Sequence, residues 1–413
     1  MSSAKLKTNG KWLVWAREMS NFKRKDIAKK MGVDSEEIRQ WEQTGDIGQN
    51  ELKKLADYYR RPPMMFFNNN SPSYNEDKIV DFRTKGSKQK KKVSPQILRE
   101  LESAQNKREN LILLEEESEE EIIPNFTLSM KNEVSDVKII SEYIREKINM
   151  TKLQIDVLNN SENALSHWIN KVEGLGVLVF QFYDIEPKDM RGYAIYNEKL
   201  PIIGINKKEH VNGRKFTLFH ELAHLIINNE GIIISNFNKF AINYNTEELC
   251  NKIAAEILVP RETFEIKIND YDNNNEWKDN QIKSLSKYFK VSNEVILRRL
   301  LTLDKISNDF YKSKKHEWEK NYFAFKNRSS NKKNKNSKKN TKPKITKEKT
   351  PNNTKNIRKA TEALRKNGEL YTKMVLEAYD SQLITNSTMA DYLGVSLQVI
   401  VEIRKKLSKE LFE

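Results

Sequence analysis

Cysteine is almost absent: the chain of 413 residues has one, Cys250. No disulfide framework can form, and a cytoplasmic, reducing compartment is the expectation. The same scarcity excludes a zinc site built from cysteines. Long apolar runs are missing too. The longest, "GLGVLVFQFY" at 174–183, is well short of the roughly 20 residues that span a bilayer and suits a buried strand. No membrane partner is expected. The opening "MSSAKLKTNGKW" lacks an apolar signal core, so export is not expected. Histidine is scarce, with five in the whole chain.

Charge is plentiful. Hydrophobic residues make up 37% and charged residues 32%, with a net charge of +15. That balance points to solvated linkers or tails beside folded parts, and the length suits two to four domains. A strong positive charge suits an anionic partner such as nucleic acid. Its distribution weakens that argument. Residues 327–351 hold Arg328, nine lysines and a single acid, Glu348, for a net +9. This Lys/Asn-rich stretch reads as a flexible linker.

The pattern along the chain predicts a mainly α protein with a small β-sheet, an α+β class. Residues 11–61 read as short amphipathic helices, stopped by "RRPPMMFF". Residues 93–150 read as charged helices, with "EEESEEE" at 115–121 a solvated run. From about 161 the pattern changes. "ALSHWINKVEGLG" reads as a helix, "VLVFQFY", "GYAIY" and "PIIGIN" as strands. A helix around 213–228, a polar loop and a helix around 246–258 follow. The domains expected are 1–67, a charged helical connector at 68–160, a unit at 161–310, the linker at 327–355 and a C-terminal helical module at 356–413.

One frame occurs three times, in "IAKKMGVDSEEI" at 27–38, "LSKYFKVSNEVI" at 285–296 and "MADYLGVSLQVI" at 389–400. Val33, Val291 and Val395 each precede an isoleucine by five residues. Ala28, Ser286 and Ala390 lie five before each valine. Two helices that cross closely around a short turn need this pattern. Gly32 and Gly394 fit the turn, whereas Lys290 departs from it.

"TLFHELAHLI" at 217–226 carries the chemistry. Residues i and i+4 share a helical face, so His220 and His224 can offer two imidazoles to one ion. Glu221 sits about 100° further round and can reach a water on that ion. This is the content of the H-E-x-x-H pattern. A catalytic zinc takes three protein ligands and leaves one position open. "NTEELCNKIAAEILVP" at 245–260 offers the third. Glu247 and Asn251 are again i and i+4. Glu247 is the favoured ligand, with Asn251 hydrogen-bonded to a ligating histidine. Glu248 competes, but Asn245 and Glu248 resemble a capping box. His210, Tyr193 and Tyr244 all remain as donors for an oxyanion. His167 and His316 read as packing or surface residues, and Cys250 as a small core residue.

"RKFTLFHELAHLI", with "RGYAIYNEKLPIIGIN" before it and "EELCNKIAAEILVP" after it, resembles the ImmA/IrrE family of zinc metallo-endopeptidases over about 160–300. "WAREMSNFKRKDIAKKMGVDSEEIRQWEQTG" with "RRPPMMFF" resembles the lambda-repressor/Cro-like (XRE type) helix-turn-helix. "DFRTKG" at 81–86 and "GELYTKMVLEAYDSQLITNSTMADYLGVSL" also look like family features. The resemblance implies a zincin-like peptidase domain in which His220, His224 and Glu247 bind Zn2+ and Glu221 is the catalytic acid/base. It implies a protein substrate, an XRE-type repressor cut at one site. Cys250 stands where the family usually has alanine, and "WEQTG" is one residue longer than the commonest pattern.

Residues 1–61 hold 14 basic and 9 acidic residues, a net +5, which supports contact with phosphates. The presumed recognition helix "SEEIRQWE" offers Ser35, Arg39 and Gln40 to DNA, while Glu36, Glu37 and Glu42 oppose it. Its other reading is a unit that docks the substrate or forms a homodimer. The apolar "LQVIVEI" makes the C-terminal copy a packing or partner module. Two functions therefore compete: a repressor-cutting zinc endopeptidase coupled to DNA binding, and a DNA-binding regulator or antitoxin-like protein whose zinc is structural or sensory.

Overall fold

The computed structural model describes residues 5–68 except 21, 60 and 62, then 94–118, 123, 124, 126, 128, 136–150, 161–227, 232–234, 244–271, 277–318, 320 and 352–410. These residues are mainly helical with two small sheets, as the sequence predicts. They fall into two compact units, Met1–Asn106 and Lys107–Glu413. The basic stretch at 327–351 and "DFRTKG" lie outside the described residues.

The first unit runs β1 (Lys5–Lys7), α1 (Gly10–Met19), α2 (Arg24–Met31), α3 (Ser35–Thr44), β2 (Asp46–Gly48), α4 (Gln49–Tyr59) and a 3-10 turn at Pro63–Phe67. Helix starts follow from local chemistry. Asn9 accepts from the Lys11 N–H, and Asp34 from the Glu36 N–H, each satisfying a donor that the helix leaves bare. The core gathers Leu13, Ala16, Ile27, Ala28, Ile38, Trp41, Leu52, Leu55 and Phe66. β1 and β2 pair antiparallel, Leu6 opposite Ile47. Three-residue strands are too short to show alternation in a sequence.

A long helix, α5 (Pro95–Glu117), contains the division between the units. The second unit continues with α6 (Val137–Lys147), α7 (Ser161–Glu173), β3 (Leu178–Phe182), β4 (Gly192–Ile195), β5 (Ile202–Asn206), α8 (Val211–Ile227), β6 (Ile232–Ile234), α9 (Tyr244–Leu258) and α10 (Arg261–Ile268). Then come α11 (Asp279–Phe289), α12 (Asn293–Thr302), α13 (Asn352–Asn367), α14 (Glu369–Asp380), α15 (Asn386–Leu393) and α16 (Leu397–Glu410).

The sheet order is β3-β5-β4-β6, with β3 and β5 parallel and β4 antiparallel to both neighbours. All residues of β3, β4 and β5 are buried, which is why they read as continuous apolar runs and do not alternate. Gly192 faces α8. Tyr193, one residue on, faces the other side of the sheet, where it stacks on Phe182 at 5.7 Å between centroids. On that side Phe180 meets Tyr371 of α14 edge-on. The segment expected as a polar loop after α8 contains β6, because "GIII" is apolar enough to pair with β4.

The three repeated frames adopt one turn. Gly32, Lys290 and Gly394 are left-handed, with φ of 73°, 54° and 64°. The next residue, Val33, Val291 or Val395, donates its N–H to Ala28, Ser286 or Ala390 at 3.1 Å in every case. This is the helix-ending bond of a Schellman motif. Lys290 lacks glycine's freedom, and left-handed backbone costs such a residue about 1 kcal/mol. Its turn is held from outside. The buried Lys215 of α8 donates to the Lys290 carbonyl, and Asn212 to that of Val291 at 3.0 Å.

Candidate metal centre

The site lies where α8 packs on α9. α8 is wholly buried from Thr217 to Ile226, since it is flanked by the sheet, α7 and α9. That explains an apolar helix whose two histidines turn toward α9. His220 and His224 turn their Nε2 atoms to within 3.1 Å of each other. Glu247 reaches in from α9, with Oε2 3.4 Å from His220 Nε2 and Oε1 3.1 Å from His224 Nε2.

These separations decide what the cluster suits. Ligands about 2.0–2.1 Å from a tetrahedral ion lie about 3.3 Å apart. The two Nε2 atoms are 3.1 Å apart, and the two Glu247 oxygens lie 3.1 Å from His224 and 3.4 Å from His220, each contact near that spacing. Two imidazole lone pairs and a carboxylate oxygen therefore converge on one point, a donor set that fits a divalent ion. Among the described residues, the group able to hold an ion is His220, His224 and Glu247. Glu248, the competing ligand, is instead paired with Lys252 at 2.8 Å. The helix begins at Tyr244, so Asn245 lies inside it and is not its cap.

Electrostatics tie the three together. Burial would push Glu247 up, but hydrogen bonds and charge from the two histidines hold it far below the usual carboxylate range. Burial would lower His220, yet Glu247 with Glu221 and the Asn251 side chain raise it. For His224 burial prevails, His220 adds to it, and the ring is pushed toward the neutral form. Asn251 stands one turn beyond Glu247 on the same face of α9, while the His220 Nδ1 is buried without a hydrogen-bond partner among the described residues.

Glu221 is fully buried on the same helix. Room for its carboxylate comes from Gly192 on β4. A Cβ there would lie 2.8 Å from Glu221 Oε1 and 2.4 Å from Thr217 Cγ2. The sequence reading missed Gly192, because a strand glycine by itself signals only some close approach. It also missed a contact of Cys250, which is a core residue as expected but lies 3.4 Å from His224 Nδ1. Burial raises its thiol well above the ordinary value, so it stays protonated.

Residues 172–301 match the family model of the IrrE N-terminal-like domain, Peptidase_M78. That span holds both helices of the site. It supports a metallopeptidase of the ImmA/IrrE type for this part of the chain. No curated protein matches the sequence.

Two of the three oxyanion donors considered are now excluded. Tyr193 points to the far face of the sheet. His210 precedes α8, where its Nδ1 accepts from the Asn212 N–H, and the ten residues to His220 span about 15 Å of helix. The Tyr244 side chain lies outside what is described. His167 packs edge-on against Trp168 and His316 is exposed.

In the first unit, Arg39 and Gln40 are exposed on α3 and Ser35 opens it, half-buried. Arg39 is bound at 2.6 Å to Glu36, one turn back. Glu42 does not oppose a phosphate backbone as expected. It is turned inward, to Arg17 at 2.5 Å and Arg24 at 2.7 Å, because its face of α3 packs on α1.

Proposed function

We propose that this protein is a zinc-dependent endopeptidase that cuts a repressor of the XRE type, coupled to DNA binding. The observation that carries the reading is the convergence of the His220, His224 and Glu247 side chains at 3.1–3.4 Å beside the buried Glu221, inside the span matched to a metallopeptidase family. A zinc ion held there would polarise a peptide carbonyl and make water more acidic. His220 and His224 are held as lone-pair donors by α8, and Glu247 brings the one formal negative charge among the ligands. Glu221, one residue from His220, takes the proton of the attacking water and hands it to the leaving amine. Its burial keeps bulk water from competing for that proton.

The test uses the full chain and XRE-type repressors from the same genome as candidate substrates. Wild type should cut one of them at one site. Glu221→Gln should keep its zinc and leave that repressor intact. Cleavage by that variant at the wild-type rate removes the mechanism.

The rival reading is a regulator with a structural or sensory zinc, which needs a fourth protein ligand. Among the described residues no fourth histidine, cysteine or carboxylate joins the group. Cys250 sits behind the His224 ring, on its Nδ1 side. That favours a catalytic site with one position for water or substrate.

For the first unit we propose a helix-turn-helix formed by α2 and α3 that holds DNA. Exposed Lys23, Lys25, Lys29 and Lys30 on and before α2 suit phosphates. Arg39 and Gln40 suit base edges, once Arg39 leaves Glu36. A gel shift of the full chain on its own promoter should depend on Arg39. Unchanged sequence preference in Arg39→Ala rejects that contact. The single buried cysteine suits a cytoplasmic enzyme.

A further inference from the structure

We propose that Cys250 is a positioning residue for the ion: its sulfur accepts the Nδ1 hydrogen of His224 and holds that ring in the tautomer whose Nε2 lone pair faces Glu247 and His220. The inference rests on the metal-binding reading above and adds a residue to it.

A ligand imidazole must have its other nitrogen protonated, and that N–H must go somewhere. His224 is fully buried, and so is Cys250, so bulk water cannot take the hydrogen. The partner within reach is the sulfur at 3.4 Å. Without it the Nδ1 hydrogen would be a buried donor with no acceptor. The ring would then favour the other tautomer, with hydrogen on Nε2 toward Glu247, and its lone pair would leave the cluster.

The arrangement also assigns α9 a division of labour. Glu247, Cys250 and Asn251 stand at i, i+3 and i+4, which is one helical face. Glu247 reaches both Nε2 atoms, and Cys250 faces the other nitrogen of His224. A thiol is a weak and uncharged acceptor. It fixes the tautomer without pushing negative charge through the ring, as a carboxylate would, and leaves the bound ion the more electron-poor.

The test compares zinc affinity, by competition with a chromophoric chelator, in full-length wild type, Cys250→Ala, Cys250→Ser and His224→Ala. Alanine has no acceptor, and its affinity should fall about tenfold, the low end for a lost orienting group. Serine keeps an acceptor and should hold affinity nearer to wild type, even though a buried hydroxyl lowers thermal stability more than alanine does. Ring-15N labelling of five histidines gives a second readout. His224 in metal-free wild type should carry its hydrogen on Nδ1, and in the alanine variant should lose that preference. If alanine fails to fold, Cys250→Val fills the space without an acceptor. Equal affinity and equal tautomer in wild type and the non-acceptor variant overturn the proposal, as does an affinity order that follows melting temperature. A wild type that binds zinc no better than His224→Ala overturns the metal-binding reading itself.

Discussion

Two carboxylates, Glu42 buried and Glu247 half-buried, have similar neighbours and opposite consequences. Glu42 in the first unit lies between Arg17 and Arg24, and Glu247 in the second lies between His220 and His224. Both face a pair of nitrogen groups at 2.5–3.4 Å. The partners differ. A guanidinium has donors only and no lone pair to give, so the Glu42 cluster is complete once its charges are matched. An imidazole is a donor on one side and a lone pair on the other. The Glu247 cluster therefore points three electron pairs at one spot. A buried acid is structural or functional according to what its neighbours can still donate, and burial alone does not tell the two apart.

Truncating each acid should separate the roles. Glu247→Ala should reduce zinc affinity by more than the roughly 10–100-fold seen on losing an outer-shell group, and activity should vanish with the metal. Equilibrium dialysis with metal analysis measures it. Zinc retained at full stoichiometry in that variant would break the comparison. Glu42→Ala should leave zinc binding intact and destabilise the first unit by about 3 kcal/mol, since Arg17 stays buried with only the exposed Glu18 carboxylate left to it, at 3.3 Å. The lower end of the range applies, as Arg24 is partly in solvent. Hydrogen exchange of the α1 and α3 amides reads the first unit alone. Exchange unmoved by the change would mean the cluster is not structural.

A third substitution tests the space around the catalytic acid. Gly192→Ala puts a methyl group against Glu221 and Thr217, and backbone at Gly204 blocks its retreat. Displacing a reacting group by about 1 Å can cost up to 100-fold in rate. The expected result is a 10–100-fold loss in kcat/KM with zinc affinity unchanged, and a stability loss of about 1–3 kcal/mol from overpacking. Loss of zinc along with the rate would show that the methyl disturbs the ligands instead.

Gly192 also marks how far the sequence was readable. His220, Glu221, His224 and Glu247 were legible because helical spacing fixes which side chains share a face. The main strands were legible from their apolar runs. β6, the strand order and the side of the sheet that Tyr193 faces depend on pairing between distant segments, which local pattern does not encode. Glu42 was misread for the same reason: "SEEIRQWE" shows three acids, but only the packing of α3 on α1 tells which one turns inward. Lys290 looked like a departure from the repeated frame, and its tolerance comes from Lys215, 75 residues away in the chain, and from Asn212, 79 residues from the Val291 that it bonds.

The smallest effect concerns a buried acid lying between these extremes. Glu173, at the end of α7, is buried and receives backbone N–H groups from Val179, Glu369 and Leu370. Among the described residues no cation pairs with it, and the Glu369 carboxylate is near. Burial first, and then Glu369, push its pKa from 4.5 up to about 8 against the pull of those N–H groups. Between pH 4.5 and 8 the folded state holds a proton that the unfolded state has released. Stability must fall as pH rises through that window, and level off on either side. Glu173→Gln keeps an acceptor and removes the titration. The variant should match wild type near pH 5 and exceed it at pH 8 by about 1 kcal/mol or more, one pH unit being worth about 1.4 kcal/mol at most. Hydrogen exchange of the β3 amides at the two pH values measures this in the second unit alone. Parallel pH dependence in the two proteins would mean that Glu173 is ionised in the fold, with the N–H groups compensating it as the two arginines compensate Glu42.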